Sequence, residues 1–219
     1  ATFLLTDFLR REGVNVIPYI PNRLEEGYGL NRGAVEQLAG KGVTLVVTVD
    51  CGITAVEEAA YAQSLGLDVI ITDHHECKDT LPEAAAVVDP HRSDCPYPFK
   101  CLAGVGVALK VCMALAGPAQ EQELLDRYAD LTALGTVADV MRLTGENRTI
   151  VRRGLSVLPD TTRPGLRALL RESGAEGKSM SSISVGYTLA PRINAAGRMG
   201  CSQGALELLL TEEPGRGEE

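Results

Sequence analysis

A chain of 219 residues, 45% hydrophobic and 23% charged, has ordinary globular composition and enough length for one large domain, or one domain with part of another. Its net charge of −8 argues against indiscriminate polyanion binding, which needs a basic surface, but leaves room for a local basic groove. No apolar run reaches the length of a membrane span, and the six cysteines include no C-x-x-C pair, so they read as thiols of a reduced, cytoplasmic protein rather than as a structural zinc site.

The first residues, Ala1 to Arg10, lack an initiator Met and a basic leader, so they do not form a signal peptide. They read as an amphipathic helix cut at its start, as in a fragment of a longer protein, with Gly13 ending the helix. Val14 to Ile20 is expected as a short strand, irregular or at an edge because of Pro18, followed by a Pro/Asn/Gly loop to Gly29. Asn31 can cap a helix to about Ala39. Thr44 to Val49 is β-rich and ends in Asp50-Cys51-Gly52. Thr54 with Glu57 has the spacing of a capping box for a helix over 55–65, which Gly66 stops. Leu67 to Thr72 is the next strand and runs into Asp73. Residues 44–72 are thus one strand–helix–strand unit of parallel type, and their nearly uninterrupted apolar strands suit a sheet covered on both faces.

Ala86 to Val88 is a minor strand ended by Asp89-Pro90, and 91–100 is loop. Leu102 to Ala116 is a buried helix with close-packing glycines at 104 and 106, and Glu121 to Leu134 is a more amphipathic one. The apolar segment 133–141 carries a single acid, Asp139. Asn147 is expected to cap a helix to about Leu158, with another over 165–172. Val185 to Pro191 is expected to be extended, 192–200 to be a basic loop of small residues, and 203–210 to be a last helix. The whole predicts an α/β fold, a mostly parallel sheet of about five strands flanked by helices, followed by a helical connector. A core over 1–160 and a connector over 161–219 are the expected divisions.

In open α/β sheets, ligands bind beyond the carboxyl ends of the strands. Asp50 and Asp73 sit at two such ends, and His74 and His75 follow Asp73 directly. With Asp139 they make a carboxylate–imidazole set whose mixed oxygen and nitrogen donors suit Mn²⁺, Fe²⁺ or Zn²⁺. Adjacent histidines point apart, so they serve one metal only in loop geometry, or two metals, or a metal and an acid or phosphate role. A polar turn is the plain alternative for a lone His-His pair. Charges in apolar settings are costly unless paired or metal-bound, which favours the site. Cys51 and Cys77 read as packing residues and His91 as a solvated loop residue, with a phosphate contact as the alternative. Arg23, Arg192 and Arg198 lie in glycine-containing segments and are candidate phosphate contacts, because a guanidinium offers a two-pronged fork.

An ordered set of segments carries a resemblance. It comprises 20–30 (Ile20-Pro21-Asn22-Arg23 to Glu26-Gly27-Tyr28-Gly29-Leu30), 48–52, 72–75, 94–100, 104–108, 135–141 and 189–198. Across essentially its whole length the chain resembles the DHH phosphoesterase superfamily, and within it the RecJ-type exonucleases. The resemblance implies a two-metal phosphodiesterase, with Mn²⁺ the usual ion and Mg²⁺ the alternative, that degrades single-stranded DNA from the 5′ end in repair and recombination. It implies Asp50, His74, His75 and Asp139 as metal ligands, and Asp73 and His75 as catalytic groups. Arg23, Arg192, Asn194 and Arg198 would contact DNA or phosphate, and a single-strand-binding protein and a helicase would be partners.

The family's aspartate-rich first motif would immediately precede Ala1, and its C-terminal and OB-type domains would follow. A chain without them is expected to bind metal weakly and cleave little. The competing expectations are another DHH phosphodiesterase, acting on short RNA or a cyclic dinucleotide, and a non-catalytic nucleic-acid-binding relative. Retention of Asp50, His74, His75 and Asp139 argues against the latter.

Overall fold

The computed structural model describes residues 1–22, 26–198 and 202–211, leaving aside the side chains of 196–198 and 202. Three strands form its sheet, β1 (Leu45–Val49), β2 (Asp68–Thr72) and β3 (Ala86–Val88), all parallel and in that order. The expected count of about five is therefore not met among the described residues. Val14 to Ile20 is irregular rather than a strand; Pro18 and Pro21 carry no N–H for a sheet ladder.

Alternation along the strands divides the core. Val46, Val69 and Ile71 pack with Val35 and Leu38 of α2 (Arg32–Gly40) and Ala62 of α3 (Val56–Ser64). Val47 and Val49 face the other way, toward Phe3, Leu4 and Phe8 of α1 (Thr2–Arg11) and Leu109 of α4 (Gly104–Ala116). Asn31 caps α2 as expected, accepting from Ala34 N at 2.8 Å. The Thr54–Glu57 box does not form. The residue at the cap of α3 is Ala55, and the turn is closed instead by Ala55 N donating to Gly52 O at 2.9 Å.

α5 (Glu121–Ala138) runs four residues past its expected end at Leu134. Gly135 explains this: a side chain there would come within 2.9 Å of Val105 Cγ1, so glycine lets α4 and α5 lie close, and packing outweighs its poor helix propensity. α6 (Gly145–Val157) packs on α5 more tightly still, since a Cβ at Gly154 would lie 2.1 Å from Ala129 O. Asn147, expected as its cap, is buried in the first turn and donates to Cys101 O and Arg142 O.

α7 (Pro164–Glu172) begins with proline at N1, where its missing N–H is harmless. Ser181 and Ser184 make a capping box for the single turn α8 (Ser182–Ser184). A π-helical turn, Val185–Leu189, and α9 (Ala190–Arg198) continue from it, and α10 (Ser202–Leu210) follows. The extended segment expected at 185–191 and the described part of the loop expected at 192–200, residues 192–198, are thus helical. The capping box starts the helix, and Val185 and Leu189, four apart, bury one face of it. Among the described residues no helix is long and apolar enough to cross a membrane. The described cysteines are free.

Gly154→Ala should destabilise the protein by roughly 1–3 kcal/mol or more, the usual cost of overpacking, measured by chemical denaturation. The buried Tyr128 donates its hydroxyl to Asp7 Oδ2 at 2.7 Å, and Arg11 Nε lies 3.0 Å from the same oxygen. Burial pushes the Asp7 carboxyl up, but these two partners outweigh it and hold its pKa below the ordinary 3.8. A depressed carboxylate stabilises the fold above its unfolded pKa and ceases to as pH falls through the folded value. Asp7→Asn should therefore flatten the loss of stability below about pH 4, and Tyr128→Phe should lower stability at neutral pH by about 1.5–3 kcal/mol.

Candidate metal centre

The parallel register sets Val49 beside Thr72 and Thr72 beside Val88. The three residues that follow these strand ends are Asp50, Asp73 and Asp89. Asp50 N donates to Thr72 O and Asp73 N to Val88 O, both at 3.0 Å, so the strand pairing carries into the site. The Thr72 hydroxyl donates to Thr48 O at 2.7 Å and the Thr48 hydroxyl to Cys51 O at 2.7 Å, which ties the two strand ends together.

Asp73 is buried, with 1% exposure. Its Oδ2 accepts Ile53 N at 2.9 Å, and its Oδ1 accepts His74 N at 2.8 Å and His75 N at 3.4 Å. His75 Nδ1 also lies 2.6 Å from that Oδ1. A carboxylate acceptor places the proton on Nδ1 and leaves Nε2 of His75 as the free nitrogen. The His75 side chain is 49% exposed and that of His74 only 6%, so one imidazole faces out and the other in. Their rings are tilted by 54° with centroids 4.4 Å apart; the turn after β2 brings the neighbours to one place, as loop geometry requires.

His74 Nε2 lies 3.0 Å from Asp50 Oδ1 and 3.3 Å from Asp139 Oδ2. Neither approach has the angle of a hydrogen bond, and both His74 Nε2 and Asp50 Oδ1 are buried atoms without a hydrogen-bond partner. One donor atom from each of Asp50, Asp73, His74 and His75 falls within 4.8 Å of the others. A carboxylate oxygen and an imidazole nitrogen buried this close, with no hydrogen-bond geometry between them, fit a cation.

Asp139 joins from the end of α5, where Asp139 N donates to Gly135 O. The negative end of a helix macrodipole disfavours another anion and favours a cation there. Burial pushes the Asp139 carboxyl up, and the Asp50 charge adds to this. Burial also pushes Asp50 up, but His74 outweighs it and holds Asp50 below the ordinary range. The Cys51 thiol is pushed up to about 11 by burial, with Asp73 and Asp50 adding.

Two contacts escape sequence reasoning. A Cβ at Gly104 would lie 2.0 Å from Asp50 Oδ1, so this glycine makes room for the carboxylate; its signal was legible, but as helix packing. Tyr28, 60% exposed, donates its hydroxyl to Asp50 O at 2.7 Å, a contact across 22 residues that no local pattern encodes.

The arginine candidates fare differently. Arg23 and the Arg198 side chain lie outside the described residues. Arg192 is exposed on α9 and donates to Thr188 O at 2.6 Å. Asn194, also exposed, lies two residues on and so on another side of the helix, whereas a loop could have aimed both at one ligand.

Comparisons with known proteins agree with this geometry. Residues 1–136 match the model of the DHH family, N-terminal domain. The chain is 45% identical over 219 residues to the single-stranded-DNA-specific exonuclease RecJ of Bacillus subtilis, covering all of this chain and 27% of that protein. It is 40% identical over 212 residues to RecJ of Thermus thermophilus, covering 97% of this chain and 31% of that protein. Among solved structures, RecJ bound to manganese superposes with a TM-score of 0.86 at 39% identity, over 99% of this chain and 54% of that one. RecJ of Thermus thermophilus with Mn²⁺ gives 0.81 at 35% identity, over 99% of this chain and 31% of that one. The chain spans about a quarter to a third of the length of these two curated relatives. Strand-end acids, a paired histidine turn and a match over residues 1–136 lead to one conclusion: the chain belongs to the DHH family.

Proposed function

We infer that the protein is a metal-dependent exonuclease that hydrolyses single-stranded DNA from the 5′ end. The observation that carries this is the set of unpaired donors around His74 Nε2, at the end of a sheet that superposes on manganese-bound RecJ. Asp50, His74, His75 and Asp139 hold the ions, with Mn²⁺ preferred and Mg²⁺ the alternative. When bound, a divalent pair lowers the pKa of a water and offsets charge on the phosphate.

The chain's own residues do the rest. Asp73 has its oxygens filled by N–H groups, so it acts as a positioning residue. It holds the Nδ1 proton of His75 and turns Nε2 toward the opening. His75 and Asp139 open to solvent, which is where a phosphodiester can approach. Arg192 and Asn194 on α9, with Arg23 and Arg198, contact the DNA strand and its 5′ phosphate. Residues 1–160 carry the DHH core and 161–219 the connector. The protein acts in the cytoplasm on strands opened by a helicase and covered by a single-strand-binding protein, which are its expected partners.

The test is release of nucleotides from 5′-phosphorylated single-stranded DNA by the intact protein with Mn²⁺. Asp50→Ala and His75→Ala should each cost at least about 10²–10³-fold in rate, the scale of losing one group that stabilises developing charge. Hydrolysis of short RNA or a cyclic dinucleotide, with DNA untouched, would replace this substrate assignment. Strand binding indifferent to both substitutions and no hydrolysis at all would leave a binding protein. A second prediction concerns Gly104→Ala, whose methyl would displace the Asp50 carboxylate. It should weaken Mn²⁺ binding by at least about 10-fold, read by calorimetry, in protein whose circular dichroism is unchanged.

A further inference from the structure

β3 ends as β1 and β2 do, on an aspartate. Val88 pairs with Thr72, so Asp89 lies alongside Asp73 and next to the turn that carries His74. The Asp89 side chain is 0% exposed. Its Oδ1 accepts His91 N at 2.8 Å. Its Oδ2 has no hydrogen-bond partner, and the same holds for His74 Nδ1 and His91 Nδ1, all three buried. Asp73, His91 and His74 are the charged groups that act on Asp89. Unsatisfied buried polar atoms are costly, so three of them on residues this near to one another in the fold call for a reason.

The chemistry of the three atoms is complementary. His74 turns Nε2 toward Asp50 and Asp139, so its remaining nitrogen is the inward Nδ1. An imidazole that ligates a metal through one nitrogen donates its other N–H to a carboxylate, carbonyl or water, which fixes the tautomer and the ring. His91, expected in solvent, is instead only 21% exposed, and its Nε2 lies 3.8 Å from Glu76 Oε1. A proton on that nitrogen leaves Nδ1 as an acceptor.

We propose that Asp89, with His91, positions His74 as a ligand, taking up the His74 Nδ1–H through one shared water. The water accepts from His74 Nδ1 and donates to Asp89 Oδ2 and His91 Nδ1, three hydrogen bonds, as is usual for a buried water. This rests on the assignment of His74 as a metal ligand. It makes Asp89 a positioning residue, since it acts only through His74.

The experiment measures Mn²⁺ affinity by calorimetry and the tautomer of His74 by ¹⁵N NMR of the intact protein loaded with diamagnetic Mg²⁺, in wild type and Asp89→Asn. Asparagine can still accept from His91 N, but its NH₂ cannot accept from a water, so the turn survives and the link is lost. Expected are a His74 Nδ1–H tautomer in wild type and a mixed one in the variant. Mn²⁺ affinity should fall about 10–100-fold with little change in melting temperature. Wild-type affinity and an unchanged tautomer in Asp89→Asn would overturn the proposal, because a role confined to the turn predicts just that. An Nε2–H tautomer in wild type would overturn it without recourse to any variant. Wild-type protein that binds no Mn²⁺ would remove the metal assignment and this proposal together, whereas equal binding by both forms removes this proposal alone.

Discussion

The Asp73 carboxylate is the point on which the site depends. It ends the middle strand, is almost wholly buried, and is surrounded by N–H groups from Ile53, His74 and His75. A buried charge is tolerable only when its oxygens are satisfied, and here the satisfying groups are parts of the site itself. One oxygen holds the turn that follows β1. The other sets the backbone of the histidine pair and the tautomer of His75. The sheet register delivers this carboxylate to its place, and the carboxylate in turn fixes what surrounds it.

Strain and charge concentrate beside it. Among the described residues, Asp50 and Val140 are the non-glycine residues at positive φ, 65° and 56°, and each belongs to or adjoins the metal centre. A left-handed residue other than glycine costs about 1–2 kcal/mol, and Val140 is β-branched as well. At Asp50 the cost is offset by bonds on both sides of the residue, its N–H to Thr72 O and its carbonyl from Tyr28. His74 serves two acids unequally: it holds Asp50 ionised, while Asp139 stays pushed toward its neutral form by burial. A single imidazole cannot neutralise two carboxylates in this space, and a bound cation can.

The second half of the chain is a scaffold of close helix contacts. Gly135 and Gly154 bring α4, α5 and α6 within backbone distance, and α5 ends with Asp139 at the site. The position of that acid is therefore set by packing along a helix of 18 residues rather than by anything adjacent to it in sequence.

The sequence by itself determined the strand–helix–strand unit over 44–72, the acids at two strand ends, the paired histidines and the family. All rest on local signals: nearly uninterrupted apolar runs, glycine stops, and a chemistry-bearing triplet at a strand's carboxyl end. It misjudged 185–198, where glycine, proline and arginine read as loop but buried Val185 and Leu189 carry a helix. It also placed His91 in solvent. Only the tertiary structure decided that Gly104 makes room for Asp50, that Tyr28 reaches its carbonyl, and that Asp89 lies behind His74. Those are contacts between segments distant in sequence, set by sheet register and helix packing, for which no single stretch of residues holds the information.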